Sequence, residues 1–335
     1  MFQLTPADVN ATLGFARRVG WRVTVAMALS PTDPTDALAE AAYLAQIGGD
    51  ALLAVEIGNE PNLFPLNGIR SPGYSVDSFT TEFDASASAI HAQLPHVPLA
   101  APSTWCTGGG AWFAEFLDRT KTSLAFATHH FYPMGVPAPA NSDERATVEN
   151  MLSPELMART RACVDSAVTA AHGVVLRVDE TNSAFGFGQP GVSDVFASAL
   201  WGIGYFYTLA ELGVAGVNVQ TGTNINGGLS CKGIYLPVCD QEGCGLRPLY
   251  YAMLLFHEAA VGRFVPMQVT AEGGSNFVAH ATVSDDGIVR VALINKEAST
   301  AADVTLEVRP APTAAATALR LLGPSLVTRR GVTLG

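Results

Sequence analysis

Positive charge is scarce in this chain. Its 335 residues hold 19 Lys and Arg against 30 Asp and Glu, a formal net charge of −11 at pH 7. No basic cluster interrupts that balance, which excludes a nucleic-acid surface, where Lys and Arg must neutralise phosphates. Charge of either sign amounts to only 15% of residues while hydrophobic residues reach 48%, so extended disorder is excluded and a sizeable core is expected. The acidic balance leaves local binding of an anionic ligand open, because a site's own donors decide that.

Several motifs are also missing. No GxSxG elbow exists, and "APST" at 101–104 lacks the glycines that such a strained turn needs, so a triad hydrolase fits poorly. "SAFGFGQPG" carries glycines without the GxGxxG spacing of a dinucleotide site. The apolar stretch Val195–Ala210 is too short for a membrane span and is interrupted by Gly202 and Gly204, so it reads as a helix packed on a sheet and no membrane partner is expected. The opening "MFQLTPADVN" shows no basic segment followed by an apolar stretch, so no signal peptide is visible. Of five cysteines, Cys231, Cys239 and Cys244 fall in "CKGIYLPVCDQEGC". Without a CxxC pair or a nearby His, a zinc site is disfavoured there. A loop disulfide would favour a secreted or periplasmic protein, and free thiols a cytosolic one.

What is present is a repeating rhythm. Thr5, Pro6 and Asp8 spell a helix start, followed by the apolar run "WRVTVAMALS". Helical patterns over 34–47, 75–93, 111–120, 154–171 and 192–212 then alternate with "ALLAVEIGN", "VPLAAPS", "LAFATHHFY", "VVLRVDETN" and "VAGVNVQTG". Nearly continuous aliphatic strands between helices predict a parallel sheet covered on both faces. Six strands suit either an open doubly wound sheet or part of a closed (β/α)8 barrel. Beyond Gly262 the sequence alternates apolar and polar residues with turn signals at 272–275, 285–287 and 297–300, which predicts antiparallel hairpins of a small β-sandwich. The expected division is residues 1–261 for the α/β part and 262–335 for the β-sandwich.

The ends of the predicted strands carry the chemistry, since polar residues at the C-terminal end of barrel strands are the reactive ones. In order they are Asn59 and Glu60, Ser103 and Thr104, His129, His130 and Tyr132, Asp179, Glu180 and Asn182, then Gln220. Glu60 and Glu180 sit on strands three steps apart, which face each other across a barrel mouth. Two converging carboxylates are the minimal machinery for cleaving a glycosidic bond, one as proton donor and the other as nucleophile or water activator. Adjacent strand residues point to opposite faces, so His129 and His130 read as one carboxylate-orienting imidazole and one packed outside, and no metal is expected.

These segments resemble a known family. "IGNEPN" at 57–62 is similar to the acid/base motif of clan A retaining glycoside hydrolases. "DETNSAFGFGQPGVSDVFASALW" at 179–201 resembles the nucleophile segment of glycoside hydrolase family 79, the heparanase and β-glucuronidase family, as do "HHFYPMG" at 129–135 and "RPLYYAMLLF" at 247–256. The resemblance implies a (β/α)8 barrel with a β-sandwich, a β-glucuronide or glucuronate-containing glycan as substrate and no cofactor. It assigns Glu60 as acid/base and Glu180 as nucleophile, with Asn59 on the sugar's 2-hydroxyl and His129 or His130, with Tyr132, orienting the nucleophile. The uronate carboxylate would be held by the loop Phe185–Gly188 (Phe185, Gly186, Phe187, Gly188) and by Tyr235. Where the family shows Tyr-Gly-Gly-Gly, this chain has Phe185-Gly186-Phe187-Gly188. Phe185 cannot donate a hydrogen bond and Phe187 adds bulk where an amide must approach a ligand, so a neutral sugar is an alternative. The family also places two strands ahead of the helix that opens this chain. The resemblance therefore implies a barrel and sandwich short of their first elements, with an open edge available for self-association, and a catalytically impaired or merely sugar-binding protein as a further alternative.

Overall fold

The structure, a computed structural model, describes residues 5–27, 29, 33–106, 110–136, 138–139, 142–221, 238–240, 243–270, 275–309 and 315–335, with backbone alone at 238–240 and 243–244. Two compact units interleave along the chain. The first comprises Met1–Phe131, Cys163–Glu180 and Gly213–Asn218, and the second Tyr132–Ala162, Thr181–Leu212 and Val219–Gly335.

The first unit is built on parallel strands β1 (Val23–Met27), β2 (Leu52–Ile57), β3 (Leu99–Trp105), β4 (Phe126–Phe131), β5 (Leu176–Thr181) and β6 (Val217–Val219), which lie side by side in chain order. Unbroken sequence order among parallel strands requires a helical crossover between neighbours; between the first five strands these are α2 (Thr35–Gly48), α3 (Val76–Gln93), α4 (Gly110–Thr120) and α6 (Pro154–Ala170). Helix α1 (Pro6–Val19) starts where Thr5 and Asp8 cap each other's backbone N–H, with Pro6 in the first turn, and ends at Gly20 in the left-handed region. Helix α3 presents Phe79 and Phe83 to Phe116 of α4, with ring centroids 5.1 Å apart in both pairs. All three rings are fully buried, as are nearly all residues of β2 and β3.

Strand β3 is irregular. Its register to β4 shifts between Pro102 and Thr104, and Ser103 between them has a positive φ of 52°. Such a bulge re-aims a side chain, and Ser103 is wholly buried. Just beyond the strand, Cys106 forms a disulfide with Cys163 of α6. Sequence reasoning looked for pairing in the 231–244 loop instead; Cys231 and the side chains of Cys239 and Cys244 lie outside the described residues.

In the second unit, α5 (Val148–Leu152) precedes α7 (Phe196–Glu211), which is buried along nearly its whole length. Phe206 and Tyr207 of α7 meet Phe256 of α8 (Pro248–Ala259) at 5.6 and 5.1 Å. Gly202 allows that approach, since a Cβ there would stand 2.3 Å from Leu249 Cδ1. The short pair β7 (Val238–Asp240) and β8 (Gly243–Gly245) is antiparallel. Strands β9 (Arg263–Phe264), β10 (Phe277–Val283) and β11 (Val289–Asn295) form an antiparallel sheet, and β12 (Leu321–Leu322) pairs with β13 (Thr333–Leu334). The expected turn at 285–287 joins β10 to β11. The "VTLEV" run at 304–308 carries no strand, its alternation being spent on mostly exposed backbone. Among the described residues no helix is long and apolar enough to cross a membrane.

The disulfide closes 57 residues of chain. Loop-closure entropy then assigns it about 4 kcal/mol. Replacing both cysteines by Ser should lower the stability of the oxidised protein by that order in urea titrations, and the variant should become insensitive to reductant. Equal stability of variant and parent under oxidising conditions would refute this contribution.

Candidate active site

The polar centre of the first unit begins at the exit of β2. The chain must turn sharply there, and Gly58 does so with φ 101°; a Cβ at that place would stand 2.9 Å from the Phe79 ring and 3.3 Å from the carbonyl of Pro102. Two residues later Glu60 adopts the left-handed conformation (φ 53°), unusual for a residue with a side chain. Its backbone is held by neighbours: Glu60 N–H donates to Ser103 O at 2.9 Å, and Leu63 N–H donates to Glu60 O at 2.8 Å. Asn62, in the 3-10 turn Pro61–Leu63, accepts from Trp105 N–H and donates to Trp105 O, both at 3.2 Å, tying this turn to the end of β3. Asn59 beside Glu60 is exposed.

His130, on β4, is buried between carboxylates. Its Nδ1 lies 3.0 Å from Glu60 Oε1 and its Nε2 3.5 Å from Asp179 Oδ2. Burial acts to lower its pKa, but hydrogen bonds to Asp179 and Glu60, with the charges of Asp179 and Glu180, outweigh it and lift the group to about 10. At neutral pH His130 is therefore an imidazolium, donating at both nitrogens. Glu180, at the end of β5, completes the group: one oxygen each of Glu60 and Glu180 and one nitrogen of His130 all lie within 4.8 Å of one another. That spacing could in principle seat a cation. Both nitrogens of His130 are turned to carboxylates, the geometry of a hydrogen-bonded bridge.

A second polar layer lies deeper; sequence reasoning singled out its Ser103 and Asp179 and passed over Glu56 and Thr128. Glu56 of β2, four residues before Glu60, is buried in the middle of "LLAVEI". The re-aimed Ser103 hydroxyl touches Glu56 Oε1 at 2.7 Å, Asp179 Oδ2 at 2.8 Å and Thr128 Oγ1 at 3.0 Å. Burial, followed by the nearby charge of Asp179, pushes Glu56 up to about 8. The available signal was a carboxylate inside an otherwise apolar strand.

His129 faces the other way. Its Nδ1 is 2.9 Å from Thr104 Oγ1, its ring lies against Phe113 at 4.9 Å, and it neighbours the Cys106–Cys163 disulfide. Burial and the charge of His130 lower it to about 4, so it is neutral at pH 7. With both cysteines in a disulfide, this trio offers no thiolate to a metal.

The remaining expected residues belong to the second unit. Tyr132 is buried. Asn182 is fully buried, its amide donating to Gln220 O at 2.8 Å and its oxygen accepting from Ser183 N–H at 2.7 Å. Phe185 packs on Gly135, where a Cβ would stand 2.2 Å from the ring, and its N–H donates to Met134 O. Gly186, Phe187 and Gly188 all have positive φ (77°, 70° and 79°), so the loop keeps a glycine-type backbone with a phenylalanine at its centre. Tyr235 lies outside the described residues.

No protein-family model matches the chain. It is similar to a β-glucuronidase of Neurospora crassa, 29% identical over 241 residues that cover 64% of this chain and 39% of that protein. A baicalin-β-D-glucuronidase of Scutellaria baicalensis is 27% identical over 203 residues, 58% of this chain and 35% of the relative. A β-glucuronidase of Aspergillus niger is 25% identical over 270 residues, 74% and 48% of the two chains. The chain thus spans less than half the length of these curated relatives. Among solved structures, a 4-O-α-L-rhamnosyl-β-D-glucuronidase from Fusarium oxysporum matches with a TM-score of 0.74 at 19% identity, over 97% of this chain and 70% of that one. A GH51 arabinofuranosidase from Xanthomonas axonopodis pv. citri matches with a TM-score of 0.69 at 17% identity, over 95% and 69%. The chain therefore has the fold of these glycosidases and is related in sequence to β-glucuronidases.

Two outcomes are expected. Because the folded-state pKa of His130 is raised, its contribution to stability is complete below about 6.5 and is lost as pH rises through about 10. Thermal melts of the parent should fall between pH 7 and pH 10, and those of His130→Gln should fall less; parallel curves would refute the bridging role. Gly58→Ala should cost about 2–4 kcal/mol, from the positive φ and the contact with Phe79, measured as a shift in the denaturation midpoint. A change under ~0.5 kcal/mol would mean that the turn relaxes freely.

Proposed function

We propose that the chain is a retaining β-glycosidase that hydrolyses β-glucuronides by double displacement, with Glu60 as acid/base and Glu180 as nucleophile. The observation that carries this reading is the pairing of Glu60 and Glu180 oxygens within 4.8 Å at two strand ends. Retaining enzymes hold their carboxyl groups about 5–5.5 Å apart, whereas inverting ones leave roughly 6.5–9.5 Å for a water.

In the first step Glu60 gives its proton to the glycosidic oxygen while a Glu180 oxygen attacks the anomeric carbon, so one C–O bond forms as the other breaks. In the second, the Glu60 carboxylate takes a proton from water, whose oxygen displaces Glu180 and restores the β configuration. Glu60 alternates between acid and anion through this cycle. The His130 imidazolium beside it supports the anionic phase, and donors already in place cost no reorganisation. Asn59 is assigned to the 2-hydroxyl. The glucuronate carboxylate is assigned to amides of Phe185–Gly188 and to Tyr235. The names of the relatives support the uronate, and no cofactor is needed. The architecture proposed for this role is a barrel-type catalytic part over 1–261, with β1 to β6 as consecutive barrel strands, and a β-sandwich module over 262–335.

One observation favours a second reading, a neutral sugar in the same chemistry. Phe185 offers no side-chain donor, and Phe187 occupies a backbone conformation that suits glycine.

Release of nitrophenol from 4-nitrophenyl β-glucuronide should be detectable in the parent and should drop at least ~10³-fold in Glu180→Gln. Azide should restore turnover to Glu60→Ala with a β-glycosyl azide as product, and to Glu180→Ala with the α-anomer. Undiminished activity of Glu180→Gln would refute the roles, and preference for a neutral aryl glycoside over the glucuronide would move the assignment to the second reading.

A further inference from the structure

A proton count at Ser103 constrains the buried layer. A serine hydroxyl has one proton to donate, yet Ser103 Oγ stands 2.7 Å from Glu56 Oε1 and 2.8 Å from Asp179 Oδ2. It can donate to only one of these two oxygens. The other carboxyl approaches a lone pair at hydrogen-bond distance and must bring a proton of its own. Thr128 cannot remove the conflict: its oxygen already accepts from Ser103 N–H at 3.1 Å, and its single proton serves one acceptor. Asp179 Oδ1 is buried without a hydrogen-bond partner among the described residues, an acceptor awaiting a donor. Asp179 Oδ2 also faces His130 Nε2 at 3.5 Å.

We propose that Glu56 is a positioning residue whose carboxyl stays neutral and shares its proton with Asp179, fixing Asp179 as the anion that holds the His130 imidazolium between Glu60 and Glu180. This rests on the reading of Glu60 and Glu180 as the reacting pair. It explains how two buried carboxyl groups share one hydroxyl: Glu56 is neutral and donates to Ser103, whose own proton then goes to Asp179, the carboxylate beside His130. The shift of Glu56 to about 8 agrees with the geometry. The ionisable group facing it is Asp179 of β5; beyond Asp179 come His130 of β4 with Glu60 and Glu180, and Arg177 of β5 adds its charge near Asp179. Strands β1, β3 and β6 bring no ionisable side chain.

Without Glu56, Ser103 loses the donor that turns its own proton toward Asp179, so Asp179 Oδ2, and with it His130 and Glu60, lose their fixed positions. Glu56→Ala should therefore reduce kcat about 100-fold, the scale of a misplaced reacting group, with KM changed far less. Glu56→Gln, whose amide can still donate to Ser103 Oγ while Ser103 donates to Asp179, should recover kcat to within about tenfold of the parent. It should also lack the alkaline limb near pH 8 in the kcat profile. Infrared spectroscopy reads the proton directly. The parent at pH 6.5 should show a protonated carboxylic acid band that titrates away near pH 8 and is missing from Glu56→Gln. Absence of that band in the parent, its persistence in Glu56→Gln, or equal damage by Gln and Ala overturns the proposal. A parent that carries the band but cleaves no glycoside sinks the glycosidase reading and leaves the Glu56–Asp179 pair standing, so the two failures are distinguishable.

Discussion

Four carboxyl groups and one imidazole occupy the interior end of a single parallel sheet, and the rest of the first unit is arranged around their mutual charge. Burying Glu56 and Asp179 with Glu60 and Glu180 close by is costly unless protons and a cation are shared among them. His130 supplies the cation, held at both nitrogens. The Ser103 hydroxyl links the deeper pair. A centre of this kind tolerates little displacement, because removing one partner leaves an uncompensated buried charge.

The backbone bears the cost of that arrangement. Ser103 reaches the cluster only because β3 is bulged there, and Glu60 projects its carboxyl from a left-handed conformation that a side chain ordinarily avoids. Both strained residues sit at strand ends and are joined to each other, Glu60 N–H to Ser103 O. Asn62 and the Cys106–Cys163 disulfide hold the same corner from either side of Trp105. Strain of this sort persists where the surroundings over-determine it, and it concentrates at functional sites. The loop at 186–188 in the second unit has the same character, a run of positive φ that retains Phe187 at its centre.

Much of this was legible in the sequence. Apolar runs separated by helical periods foretold six parallel strands, and capping residues such as Thr5 with Asp8 marked a helix start, because these signals are local and rest on side-chain chemistry over a few residues. Glu60 and Glu180 stood out as carboxylates at strand ends, and the β-glucuronidase likeness was carried by short motifs around them. Ser103 and Asp179 of the deeper layer were named as strand-end residues, but Glu56 was passed over although it stood in plain view, since a single acidic residue in an apolar strand acquires meaning only when its cross-sheet neighbours are known. The Cys106–Cys163 pair was missed for a similar reason: cysteines far apart in sequence carry no sign of their partner.

The sequence by itself determined which residue types end each strand, and so which groups were available for chemistry. Tertiary structure alone decided which of those groups meet: that His130 turns inward and His129 outward to Thr104, that a bulge swings Ser103 between two carboxyls, and that Glu60 comes within reach of Glu180. The physical reason is that protonation and hydrogen bonding depend on distance and burial, which residues from four different strands acquire only when the sheet brings them together.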